Sequence, residues 1–203
     1  MLYIETLAPS TLELLKRIQS EEAFQATRLV GGAALALHFG HRTSIDLDIF
    51  GSWNPHPPLQ LVLSGCGTKV MKTGGEEKMQ FFTVDGVKID CVTYPYEWLR
   101  PAVEFDGIRL ADIPDVGAMK LAAVTNRGTR KDFVDVYFLL QRYSLKQLFE
   151  WYSQKYPDGN EYLVLRSLVY FDDAESEPMP NMLRPVEWAS VRRDIESAVR
   201  TFT

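Results

Sequence analysis

An α/β chain in two parts is predicted, a mixed sheet flanked by helices over residues 1–110 and a helical lobe over 111–203. Three observations support it. Short β-prone runs alternate with helix-prone ones through the first half, the dipeptides Asp85-Gly86 and Asp106-Gly107 sit between apolar runs as hairpin tips, and from residue 112 the apolar residues recur at helical spacing. A shift in composition near residue 110 sets a soft boundary between the parts. With 203 residues, 46% hydrophobic and 24% charged, the chain can bury a true core, which excludes disordered and fibrous classes.

Residues 9–20 place Leu12, Leu15 and Ile18 on one helical face, with Ser10 and Thr11 as caps. The run Arg28-Leu29-Val30 reads as a strand end or turn. Residues 32–40 are rich in Ala and Leu, suit a helix, and stop at Gly40. Residues 45–50 alternate as a strand, residues 51–58 (GSWNPHPP) form a loop, and 59–65 suit another helix. Residues 67–73, 78–84 and 87–93 read as a strand followed by the Asp85-Gly86 hairpin. After the smaller hairpin at Asp106-Gly107 the pattern is helical, interrupted at Asn126-Arg127-Gly128. In the helix that follows, Phe133, Val136, Tyr137 and Leu140 form the buried stripe, leaving Lys131, Asp132 and Asp135 on or beside the polar face. Aromatic residues of 143–171 fall mostly at core spacing. The acidic, Pro-containing segment 172–187 is a loop that covers a site or connects to the last helix.

The net charge of −5 argues against broad coating of nucleic acid, while leaving room for a local basic groove. Cys66 and Cys91 are too few for a disulfide framework, and the opening residues have neither the basic start nor the apolar run of a secretion signal. A cytoplasmic location follows, with no membrane span and no internal repeat.

The chemistry concentrates in LVGGAALALHFGHRTSIDLDIF. In a strand, Asp46 and Asp48 project to one face and Ile45, Leu47 and Ile49 to the other. Two like charges that close repel, and a divalent cation such as Mg²⁺ between them removes the penalty. Alternation in VKIDCV puts Lys88, Asp90 and Val92 on one face, so Asp90 can join the pair if the strands are neighbours. Three carboxylates suit two-metal catalysis of in-line displacement at phosphorus. Gly31 and Gly32 allow positive φ and close ligand approach at a helix start, whose unsatisfied N–H groups favour phosphate. Lys120 and Arg127 share a helical face and can meet phosphate oxygens; the ordinary alternative for Lys131 and Asp135, four apart, is a solvated ion pair. Arg42 fits either a phosphate contact or a pair with an acidic side chain. His38 and His41 lack the further ligands a zinc site needs, and no Ser-His-Asp or Cys-His set can be assembled.

Gly31-Gly32, His41-Arg42, Ser44, Asp46-Leu47-Asp48 and Ile49-Phe50 resemble the first motif of the AbiEii-type toxins, a branch of the polymerase-β-like nucleotidyltransferase superfamily. The stretch FDGIRLADIPDVGAMKLAAVTNRGTRKDFVDVYFLL is similar to that family's second conserved block, with Lys120, Arg127, Lys131, Asp132 and Asp135 at its polar positions; LVYFDDAESEPMPNMLRPVEWASVRRDI continues the likeness. The resemblance implies a small nucleotidyltransferase-type sheet over 1–110 with a helical lobe over 111–203 completing the nucleotide site. It also implies transfer of a nucleoside monophosphate from an NTP to an acceptor hydroxyl. Asp46, Asp48 and Asp90 would bind two Mg²⁺ ions; together with Lys120 they would form the catalytic set. Gly31, Gly32, Arg42, Ser44, Lys120, Lys131 and Asp132 would hold the nucleotide. The acceptor class so implied is RNA, particularly tRNA, and the role that of a toxin with a cognate antitoxin or in phage defence. Where many superfamily members have Gly-Ser, this chain has Gly32-Ala33, so the direct hydroxyl contact to phosphate is missing and the backbone N–H groups and Ser44 remain to serve. That departure keeps open a nucleotide-binding regulatory module that has lost catalysis. A nucleotidyltransferase that modifies a protein hydroxyl is the other alternative.

Overall fold

The computed structural model describes residues 2–53 and 56–202. Its strands are β1 (Thr27–Val30), β2 (Leu47–Gly51), β3 (Val70–Glu76), β4 (Met79–Val84), β5 (Val87–Thr93), β6 (Val103–Phe105) and β7 (Ile108–Leu110). They form one seven-stranded mixed sheet in the order β3-β4-β5-β2-β1-β7-β6, in which β2 runs parallel to β5 and β1 parallel to β7. The inward positions Leu29, Leu47, Ile49, Ile89 and Cys91 are fully buried, which draws β1, β2 and β5 to the centre. Both Asp-Gly tips turn as expected: Asp85 and Gly86, like Asp106 and Gly107, have positive φ at both central positions, the hairpin geometry that suits the twist of paired strands.

The helices are α1 (Pro9–Ser20), α2 (Gly31–Phe39), α3 (Leu59–Cys66), α4 (Ile113–Asn126), α5 (Arg130–Leu140), α6 (Leu145–Lys155), α7 (Glu161–Leu168), α8 (Asp172–Glu175) and α9 (Trp188–Phe202). Helix α2 is apolar around most of its circumference, with Ala33, Ala34, Leu35, Ala36, Leu37 and Phe39 buried. It lies between β1 and β2 on one side and α4 and α5 on the other. It stops at Gly40, whose φ of 62° is the left-handed C-cap. The central helix thus carries the glycine pair at its start into the heart of the molecule.

Several elements differ from expectation. The strand expected over 45–50 begins at Leu47, and Ile45, expected inward, is 75% exposed, because pairing with β1 starts only opposite Val30. Ser10 and Thr11 do not cap α1; the N-cap is Ala8, and Pro9 at N1 supplies the preorganised φ instead. Leu14 joins Leu15 and Ile18 as buried residues of that helix. The strand expected over 67–73 is shifted to Val70–Glu76 and carries an irregularity between Lys72 and Gly74. Within the loop expected over 172–187 lies the single turn α8. Of the 51–58 loop, Asn54 and Pro55 lie outside the described residues.

Candidate active site

Asp48 on β2 and Asp90 on β5 are direct register partners of two parallel strands, so their carboxylates project from the same face side by side. Gly31 lies against them. A Cβ added to Gly31 would sit 2.2 Å from Asp48 Oδ2, and the residue's φ is +66°, so both space and backbone demand glycine. Gly32 performs the same service for Arg42: its Cβ would fall 2.3 Å from the Arg42 NH2 nitrogen. The start of α2 is thereby brought into contact with a carboxylate on one side and a guanidinium on the other.

Burial, with the like charge of Asp90 beside it, pushes the Asp48 carboxyl above the usual carboxylate range. No hydrogen bond or ion pair to another described side chain relieves it. Asp90 Oδ2 accepts from Lys88 Nζ at 2.8 Å, while Asp90 Oδ1 is buried without a partner among the described residues. A desolvated carboxylate pair with an unpartnered oxygen fits a hard divalent cation. Asp46 lies just before β2 and lines the same cavity, which holds about 290 Å³. Among the described residues no three carboxylate, imidazole or thiol groups are gathered as a finished metal cage.

The cavity's remaining wall is rich in cations: Arg42, Lys88, Lys120, Arg127 and Lys131 line it, with Gly32, Ser44 and Asp132. Lys120 and Arg42 are not free charges. Lys120 Nζ donates to Asp132 Oδ1 at 2.8 Å and lies 2.9 Å from Asp135 Oδ2; its third N–H has no partner among the described residues. Arg42 donates Nε and NH2 to the two oxygens of Asp135 at 2.7 and 2.8 Å. His41 Nε2 donates to Asp135 Oδ1 at 2.8 Å, which assigns the proton to that nitrogen. Arg127 donates to both oxygens of Asp132, at 3.0 and 3.2 Å.

Burial works to lower the Lys120 ammonium, but Asp135 and Asp132 outweigh it and hold the pKa above the usual lysine range. Burial likewise works to raise Asp135, yet Arg42 and Lys120 hold it well below the usual carboxylate range; Lys120 and Arg127 do the same for Asp132. Arg42, Lys120, Arg127, Asp132 and Asp135 are thus held in their charged forms, while burial pushes the His41 imidazole below its usual range.

The structure thus brings Gly32, Arg42, Ser44, Asp46, Asp48, Asp90, Lys120, Lys131 and Asp132 around one cavity, with Gly31 at its boundary with the next. It also corrects the reading of α5. Asp132 and Asp135 do not belong to a solvated face; both are fully buried, because that face of the helix is turned toward His41, Arg42 and Lys120. Asp135 was missed as a site residue. Its signal was the pair of acids three apart on one helical face, together with the buried-helix sequence of α2 that needed a polar partner at its end. The segment after α8 also returns to the cavity: Pro180 and Asn181 line it, Thr43 N donates to Asn181 O at 2.9 Å, and Arg42 bridges Met182.

The profile of the family described as "Nucleotidyl transferase AbiEii toxin, Type IV TA system" matches residues 13–202. An uncharacterized protein of Aquifex aeolicus is 32% identical over 172 residues, which are 81% of this chain and 83% of that protein. Among solved structures, JHP933 from Helicobacter pylori shares the fold with a TM-score of 0.60 at 16% identity, over 95% of this chain and 88% of the other. The nucleotidyltransferase toxin MenT4 from Mycobacterium tuberculosis H37Rv does so with a TM-score of 0.59 at 15% identity, over 94% and 80%.

Proposed function

The chain belongs to the AbiEii nucleotidyl transferase toxin family, and from that premise we propose that it moves a nucleoside monophosphate from an NTP to a hydroxyl of RNA, with tRNA as the acceptor class, in a Mg²⁺-dependent reaction that arrests growth unless a cognate antitoxin counters it. The observation that carries this reading is the in-register pair Asp48 and Asp90 set against Gly31, with five cationic side chains around them. Asp46, Asp48 and Asp90 would hold two Mg²⁺ ions, which when bound neutralise developing charge on the phosphates and favour deprotonation of the acceptor hydroxyl.

The chain's own residues do the rest. Gly31 and Gly32 let the triphosphate approach the first backbone N–H groups of α2. Lys120 offers its unpartnered N–H to a phosphate oxygen, and Arg127, Lys131 and Lys88 add positive field around it. Ser44 stands in the cavity where a hydroxyl contact to phosphate remains available, Ala33 having none to give. Arg42 and Asp132 hold the framework of the nucleotide site through their ion pairs. The acceptor oxygen attacks Pα, the bond from Pα to the bridging oxygen breaks, pyrophosphate leaves, and the Asp90 carboxylate helps take the acceptor proton. Lys88, Arg127 and Lys131 also supply the local positive charge an RNA backbone needs despite the net charge of −5. No helix among the described residues is long and apolar enough to cross a membrane.

Incubation with labelled NTPs, Mg²⁺ and total RNA tests this. Label is expected in RNA, and Asp48→Ala is expected to abolish both transfer and growth arrest while leaving the circular dichroism spectrum unchanged. Label in protein bands that survive ribonuclease would refute the RNA acceptor, and full activity of Asp48→Ala would refute the site.

A further inference from the structure

Asp48, Asp90, Lys120 and Arg127 border two cavities, and only one has been used so far. The second holds about 400 Å³ and shares the same carboxylate pair, with Phe50, Met79, Phe81, Tyr94, Met119 and Tyr156 among its walls. We propose that this second cavity takes the nucleobase of the NTP, with Pα at the shared border of Asp48 and Asp90 and the rest of the triphosphate in the cationic cavity. The proposal rests on the nucleotidyl-transfer reading and names the half of the substrate that reading left unplaced.

The two cavities differ as the two ends of a nucleotide differ. The first is walled mostly by charged side chains; among its described lining the second has Lys120 and Arg127 as cations, both from the shared border, and the amide of Asn126, and beyond Asp48 and Asp90 the rest is apolar or aromatic. A ligand that spans them must be polyanionic at one end and flat and apolar at the other. The Tyr94 and Tyr156 hydroxyls lie 2.8 Å apart, one donating to the other, which ties together two rings that both line the cavity. Phe50 packs on Tyr94 with ring centroids 5.5 Å apart, and Phe81 stands beside Asp90 in the β4–β5 register. Met79, 48% exposed on β4, and Met119 on α4 bring polarisable thioethers from the two sides. Tyr156, at the end of α6, is expected in the core with the other aromatic residues of 143–171; it packs against the core as a half-buried residue and also lines this cavity. Such a wall binds through stacking and thioether contact, as single-base sites do.

The test compares ligands with and without a base. Equilibrium binding of each of the four common ribonucleoside triphosphates, and of inorganic tripolyphosphate, is measured by calorimetry with Mg²⁺ for the full chain and for Phe81→Ala, Met119→Ala and the cavity-filling Ala123→Phe. Loss of a stacking partner is expected to weaken NTP binding about tenfold, about 1.4 kcal/mol, and Ala123→Phe at least as much. Tripolyphosphate affinity is expected to stay within about twofold, which also shows that each variant is folded. Unchanged NTP affinity in all three variants with a raised KM for acceptor RNA would assign the cavity to the acceptor and overturn the proposal. A wild-type chain that binds neither NTP nor tripolyphosphate would instead overturn the nucleotidyl-transfer reading, and this proposal with it.

Discussion

Replacing Asp135 by Asn tests whether the buried ion network holds the site together. The two carboxylate oxygens lie 2.7 to 2.9 Å from donors on His41, Arg42 and Lys120, and Asp135 and all three partners are buried. Asn keeps the shape but removes the charge, and it turns an amide donor toward Arg42 or Lys120, which can only donate. Breaking a buried pair by neutralising one member costs about 3–5 kcal/mol, because the surviving charge stays desolvated. Asp132 still faces Lys120, so the lower end applies, about 3 kcal/mol. With a urea slope on the order of 2 kcal/mol/M, the unfolding midpoint is expected to fall by about 1.5 M, followed by tryptophan fluorescence. The transfer rate of the folded fraction is expected to fall as well, since Arg42 abuts Gly32 and Lys120 lines the cavity. A midpoint shift below about 0.3 M would refute the argument that this carboxylate compensates two buried cations.

Gly31→Ala forces a Cβ to 2.2 Å from Asp48 Oδ2, far inside van der Waals contact, at a φ of +66°, so the carboxylate must move; transfer activity is expected to fall about 100-fold with the far-ultraviolet spectrum unchanged, and wild-type activity would refute the close approach. Asp132 and Asp135 have depressed folded-state pKa values, so the stability they confer is complete above about pH 4, where unfolded carboxyls ionise, and is lost as the pH falls below it. Urea midpoints measured from pH 3 to pH 6 should show that slope in the wild type and a shallower one in Asp135→Asn; equal slopes would refute it. Lys155→Met strips Asp115 of its buried cation, at present 2.6 Å away, and is expected to cost about 3 kcal/mol in urea unfolding, a loss below about 0.5 kcal/mol showing the pair to be dispensable.

The alternation of Leu47 and Ile49 and the two Asp-Gly tips were enough to specify the sheet's main strands and hairpins, because one buried face fixes register and positive φ fixes the turn. Local pattern failed at Ile45, where strand pairing rather than alternation decides which residues belong to the sheet. It failed again at Asp132 and Asp135. A polar stripe on a helix looks the same whether it faces water or a set of cations brought from residues 41, 42 and 120, and only tertiary packing distinguishes them. The glycine pair and the carboxylates were legible as residue types with chemistry at a helix start and on strands. The aromatic cavity was not, since its walls come from β2, β4, α4 and the end of α6, segments with no common period.

Asn181 holds Thr43 by its carbonyl and closes the cationic cavity from a position some 140 residues later in the chain. During synthesis, therefore, a nascent polypeptide carrying every carboxylate and glycine of the cleft still lacks one of its walls.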